Sequence, residues 1–191
     1  MIALRTYLNS FAPVHEEAWN ELSRLFQKVV LKRGEFLIQE GQIATQFVFV
    51  ESGVIRAFFR DERGTEYNKH FFTSPSIAGA YTSLITGKPN QIIQQALLDC
   101  HLLAADYRSF VRLYDRYQEL ERIGRLFAER YFVEKEQKEL EMARYGAEKR
   151  YALFQERYPL LEQDIPQYHI ASYLGITPTQ LSRIRKKLAQ G

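Results

Sequence analysis

The stretch from Ile165 to Ala189 constrains the fold most. It reads IPQYHIASYLGITPTQLSRIRKKLA. The pattern predicts two short helices joined by a tight turn. The first runs from about Pro166 to Leu174 and stops at Gly175, a residue type that takes up the left-handed backbone needed to end a helix. Thr177 suits an N-cap and Pro178 the first helical position. Gln180, three residues after the cap, completes a capping box. The second helix runs from Pro178 to about Ala189. Ile170, Leu174, Ile176, Leu181, Ile184 and Leu188 form the expected seam, and Ala171 is small enough for the helices to cross closely.

With Leu181, Ile184 and Leu188 turned inward, Thr179, Ser182, Arg183 and Lys186 fall on the opposite face, flanked by Arg185 and Lys187. This is the pattern of a helix-turn-helix, in which the second helix enters the major groove of double-stranded DNA. Arginine there can grip guanine bidentately, threonine and serine read tolerantly, and lysine meets phosphate. The expected DNA-binding residues are Thr177, Thr179, Ser182, Arg183 and Lys186. The plainer alternative is a helical hairpin with a basic solvated face. Overall charge does not decide between them. A net +3 and a pI near 8.9 are only mildly basic. The local run Arg183, Arg185, Lys186 and Lys187, with no acid after Asp164, says more.

Hydrophobic residues make up 46% and charged ones 26%, the balance of a globular protein. A length of 191 residues allows one large or two small domains. The single cysteine, Cys100, excludes an internal disulfide, a cysteine-ligated cluster and a multi-cysteine zinc site. No apolar run is long enough to span a membrane, and MIALRTYLNS lacks the apolar core of a secretory signal. A cytoplasmic location without a membrane partner is expected.

Residues 1–30 look helical, with Pro13 opening a helix that carries Val14, Ala18, Leu22, Leu25 and Phe26. From Val29 to Asp106, short β-branched and aromatic runs are cut by glycine turns at Gly34, Gly41, Gly53 and Gly64. Strands are predicted at Phe36–Ile38, Phe47–Val50, Val54–Phe59, Tyr67–Phe72, Ile92–Leu98 and His101–Ala105, forming an antiparallel barrel or jelly roll. Ser74 to Asn90 interrupts them as a loop with a short helical turn. Tyr107–Tyr114 forms a short helix, and a long helix follows from about Tyr117 to Tyr145. Leu126, Val133 and Leu140 repeat on it at heptad spacing beside Leu120, Ile123, Phe127 and Tyr131. Two apolar faces imply two partners, the roll and a second copy of the chain. A helix packed twice within one chain is the alternative. A break near Arg144 to Gly146 precedes a helix from Ala147 to Tyr158. Gly124 marks a weak point in the long helix or a close approach.

Taken together, LKRGEFLIQEGQIATQFVFVESGVIRAFFRDERGTE (Leu31 to Glu66) and HIASYLGITPTQLSRIRKKL (His169 to Leu188) resemble the Crp/Fnr family of bacterial transcription regulators. The resemblance implies an α+β fold in three parts. These are a β-roll effector-binding-like domain over 1–116, a long dimerisation helix over 117–145, and a helix-turn-helix domain over 146–191. It also implies a homodimer through Ile123, Phe127 and Val133, an effector pocket in the roll, and RNA polymerase as a further partner. Family members that bind cyclic AMP place a glutamate directly after a pocket glycine and an arginine about ten residues on. Here Ala80 follows Gly79, and the later segment reads Lys88-Pro89-Asn90-Gln91-Ile92. The expected pocket residues are Gly79, Ala80, Tyr81, Lys88, Asn90 and Gln91. They predict a small-molecule effector other than cyclic AMP, or none. The family's two-stranded wing has no counterpart before Gly191.

Other classes fit the residues less well. A cupin-like metal-dependent enzyme needs clustered histidines, whereas His15, His70, His101 and His169 are scattered. Haem through His70 or His101 competes with the ordinary structural role of a lone strand histidine. Neither cofactor nor metal is expected, and no phosphate loop or nucleophile elbow is present. A roll-shaped sensor or scaffold without DNA binding is the remaining alternative.

Overall fold

The computed structural model describes residues Met1–Ala189. The end at Gly191, on which the expected lack of a wing rests, lies outside them. The chain divides into two compact units. The first comprises Met1–Ala57 and Phe71–Tyr131, the second Phe58–His70 and the chain from Phe132 onward.

In the first unit, α1 (Ile2–Asn9) and α2 (Glu16–Arg24) are separate helices, and β1 (Gln27–Leu31) follows at once. The expectation of helix to residue 30 is therefore corrected. Val29 and Val30, β-branched and exposed, pair with Leu102 and His101 across the sheet. The remaining strands are β2 (Phe36–Ile38), β3 (Gln46–Ser52), β4 (Val54–Arg60), β5 (Glu66–Thr73), β6 (Ser76–Ala78), β7 (Ile93–Ala96) and β8 (Cys100–Asp106). They make two four-stranded sheets in the orders β1-β8-β3-β6 and β2-β7-β4-β5. β6 lies inside the segment expected to be a loop. Its three residues are too few for a visible alternation, but they pair with Val48, Phe49 and Val50 of β3. The expected helical turn is α3 (Tyr81–Thr86). The β3–β4 turn requires its glycine. Gly53 has φ +95°, and a β-carbon there would lie 2.5 Å from the Asp99 carbonyl oxygen and 2.6 Å from Cys100 Sγ.

After α4 (Tyr107–Arg112), α5 runs from Gln118 to Arg144. Its first turns complete the core, where Leu120 and Ile123 pack with Leu4, Leu8, Ala18, Leu22, Phe49 and Leu103. Gly124 is a close approach within the chain, because a β-carbon would overlap the Tyr114 hydroxyl. The second unit adds the rest of α5, then α6 (Ala147–Arg157), α7 (Leu161–Asp164), α8 (Gln167–Leu174) and α9 (Pro178–Leu188). No helix among the described residues is long and apolar enough to cross a membrane.

Candidate nucleic-acid interface

Only eight residues long, α8 is too short to be stable alone, so packing must hold it. Ile170, Ala171 and Leu174 are buried, as are Leu181 and Ile184 on α9. Leu188, expected in this seam, is 52% exposed because it lies in the last turn of α9. Gly175 closes α8 in the left-handed conformation, φ 66° and ψ 36°. The Ile176 amide then donates to the Ala171 carbonyl at 3.0 Å. The capping box forms as its spacing predicts. The Gln180 amide donates to Thr177 Oγ1 at 3.2 Å, and the Thr177 amide donates to Gln180 Oε1 at 2.9 Å. Such a cap contributes about 1 kcal/mol.

The turn and α9 leave Thr177, Thr179, Ser182, Arg183 and Lys186 exposed. Lys187 is tied to Glu148 at 2.8 Å, and Arg185 is partly buried. Arg183 and Lys186 have no ion-pair partner among the described residues. With the Thr177 hydroxyl engaged in the cap, Thr179, Ser182, Arg183 and Lys186 share one solvated face.

Behind α8 lies a cluster that the sequence did not disclose. Arg157 of α6 forks onto the Glu141 carboxylate at 2.5 and 3.1 Å and donates to the Tyr173 hydroxyl at 2.8 Å. Lys138 Nζ lies 3.4 Å from the centroid of the Tyr173 ring, a cation–π contact. Burial, then the charge of Arg157, pushes the Lys138 ammonium down to about 7. Nearby, His70 Nδ1 is 3.5 Å from the Tyr158 hydroxyl. Burial, then Arg157 and Lys138, lowers its imidazole to about 4. Among the described residues, no three His, Cys, Asp or Glu side chains form a metal-holding group.

Residues 28–117 match the cyclic nucleotide-binding domain family. Among solved structures, FixK2 from Bradyrhizobium japonicum superposes with a TM-score of 0.75 at 18% identity, covering 86% of this chain and 85% of that one. A putative Crp/Fnr-family transcriptional regulator from Eubacterium rectale gives 0.70 at 17% identity, covering 93% and 85%. The c-di-GMP-responsive regulator CLP from Xanthomonas campestris gives 0.68 at 17% identity, covering 90% of each. The chain has a Crp/Fnr-type fold. No curated protein sequence matches it.

The residues expected from the sequence to line an effector pocket lie around α3. Ala80 is buried and Tyr81 is 42% exposed, while Lys88 and Gln91 face solvent. Gly79 has Leu84 and Phe47 side-chain carbons 3.3 Å from where a β-carbon would stand. Asn90 is not an open donor. Its Nδ2 donates to the carbonyls of Gln39 and Ile92, at 3.2 and 2.6 Å, and its Oδ1 accepts from the Ile92 amide at 3.1 Å. The expectation that it faces a ligand is corrected, because the amide closes its own turn. A cleft of about 370 Å³ opens beside α3, lined in part by Ile43, Ser83, Ile85, Tyr107 and Arg108, with none of the six expected residues in its wall. Arg56, which no sequence motif marks, is buried in β4 and forks onto Gln95 Oε1 at 2.7 and 3.0 Å.

The three expected interface residues of α5 separate. Ile123 is 3% exposed within its own chain's core, so it is withdrawn from any contact with a second copy. The Phe127 ring packs edge-on against Phe11, 6.1 Å between centroids, and stacks with Tyr131. Val133 is 49% exposed, with Phe132 at 66% and Leu140 at 46%.

His70 yields a pH prediction. Its folded pKa lies below the ordinary 6.5, so its stabilising share is intact above pH 6.5 and is lost as pH falls through about 4. Urea unfolding followed across that interval should lose about 2–3 kcal/mol on this account, and His70→Asn should flatten the loss. Equal slopes for both proteins would remove the assignment.

Proposed function

We propose that this chain is a homodimeric transcription regulator that binds double-stranded DNA through α9, and that it is not an enzyme. The observation that carries the reading is the capped helix behind a glycine-closed α8, with Thr179, Ser182, Arg183 and Lys186 on one solvated face. The Crp/Fnr-type fold supports it. Arg183 is the main base reader, Thr179 and Ser182 adjust the preference, and Thr177 and Lys186 serve the backbone. The second copy joins along α5 through Val133 and Leu140, which keep the heptad spacing and stand exposed, with Phe127 at the edge of the seam. The working parts are the roll over 1–116, the helix over 117–145, and the DNA-binding part from 146 onward. RNA polymerase is a further partner on this reading, and a cytoplasmic location goes with it.

Cyclic AMP does not control the protein on this reading, although residues 28–117 match the nucleotide-binding family. An anionic phosphate leaving water needs a charged fork, and the ribose hydroxyl needs an acceptor. Ala80 supplies no acceptor, Asn90 is spent on its own turn, and Lys88 stands in solvent. The effector is a different small molecule, or there is none.

Losing a bidentate base contact costs about 1–3 kcal/mol of discrimination. Arg183→Ala should therefore flatten the preference for a selected site over scrambled DNA. Lys186→Ala should weaken both about equally and reduce the salt dependence. Equal, sequence-independent losses in the two variants would count against the assignment. Calorimetric titration with cyclic AMP should give no heat of binding at micromolar concentrations. A micromolar dissociation constant abolished by Lys88→Ala would overturn the effector reading.

A further inference from the structure

We infer that Asn68 and Ser172 are positioning residues for the DNA-binding helices, acting through the β4–β5 hairpin. This rests on the DNA-binding reading above. Strand β5 is the outer strand of its sheet, and outer strands carry a row of backbone groups that need partners. The alternate residues Glu66 and Asn68 direct theirs to the same edge. The Ser172 hydroxyl of α8 fits that edge. It accepts from the Asn68 amide at 3.0 Å and donates to the Glu66 carbonyl at 2.7 Å. One side-chain oxygen thus stands in for a residue of a neighbouring strand. Asn68 makes the reciprocal contact. Its side chain is buried, and Nδ2 donates to the carbonyl of His169, one turn before Ser172 on α8.

Apolar packing alone would let the helix slide along the strand. These three bonds set one register, because a shift of α8 by one residue would leave buried backbone groups unpaired. The hairpin residues Phe58–His70 accordingly cluster with the helices, although both strands continue into the roll unit, at Ala57 and at Phe71. The roll therefore continues covalently into the unit that holds α8 at both ends of this hairpin as well as along α5, and the hairpin meets α8 through these hydrogen bonds. α8 in turn sets α9 through Ala171, Leu174 and the Gly175 turn. The consequence is selective. Phosphate attraction depends on charge and tolerates a loose α8, whereas base contacts need a fixed angle.

The test uses the full chain with Ser172→Ala, the hydroxyl-keeping Ser172→Thr, and Asn68→Ala. Hydrogen exchange is read without DNA, and affinity is measured for a selected duplex and a scrambled one. Ser172→Ala should speed exchange of the Asn68 amide about tenfold, the scale of one lost hydrogen bond. It should also lower the ratio of selected to scrambled affinity while leaving scrambled binding unchanged. Ser172→Thr should restore both, and Asn68→Ala should lower the same ratio. Unchanged exchange in Ser172→Ala would overturn the latch. Faster exchange with an unchanged affinity ratio would overturn the positioning role. If the wild type itself selects no duplex, the DNA reading fails separately and the exchange result still decides whether the latch exists.

Discussion

The helix pair proposed to face DNA depends on α8, a helix that cannot hold itself. At eight residues it lies below the length at which helices persist in water. Three sets of contacts replace that missing stability. Ala171 and Leu174 meet α9, Tyr173 meets the cluster from α5 and α6, and His169 and Ser172 meet the β4–β5 hairpin. Where α8 goes, the capped α9 follows. The proposed reading of DNA is therefore a property of this surround as much as of the exposed arginine and lysine.

The surround is built from unequal materials. The seam with α9 is apolar and insensitive to pH or salt. The Tyr173 contacts are charged. Arg157 pairs with Glu141 while Lys138 sits on the Tyr173 ring, so two cations share the neighbourhood of one carboxylate. Burial first, and then that excess of charge, pushes Lys138 down to about 7 and His70 to about 4. An apolar seam fixes how α8 and α9 cross, while the polar contacts fix which register α8 takes against everything else. The same division runs through α5. Its first turns are buried in the core by Leu120 and Ile123, and beyond Tyr131 its apolar side chains stand in solvent.

What the sequence disclosed was what short-range chemistry decides. Thr177, Pro178 and Gln180 lie within one turn of each other, so the capping box could be read directly and forms at its expected place. The glycine turns bounded most of the strands for the same reason. β6 escaped because three residues between Pro75 and Gly79 carry no period, and β1 because Val29 and Val30 follow closely on a helix. Ile123 looked like interface because periodicity reports an apolar face without saying what covers it. The Ser172–Asn68 bond joins residues 104 apart, and neither residue type announces such a role. The proposed DNA-facing residues could be named from sequence, whereas the contacts that aim them could not.

The most direct measurement is selection of duplex sites from a random pool by the purified chain at a stated salt concentration. Two copies joined along α5 should enrich a near-palindrome whose half-sites lie one turn apart, about 34 Å. Substituting Val133 with glutamate should abolish the enrichment together with dimerisation. A pool that stays unenriched, or a monomer that tightly binds a single half-site, would contradict the account.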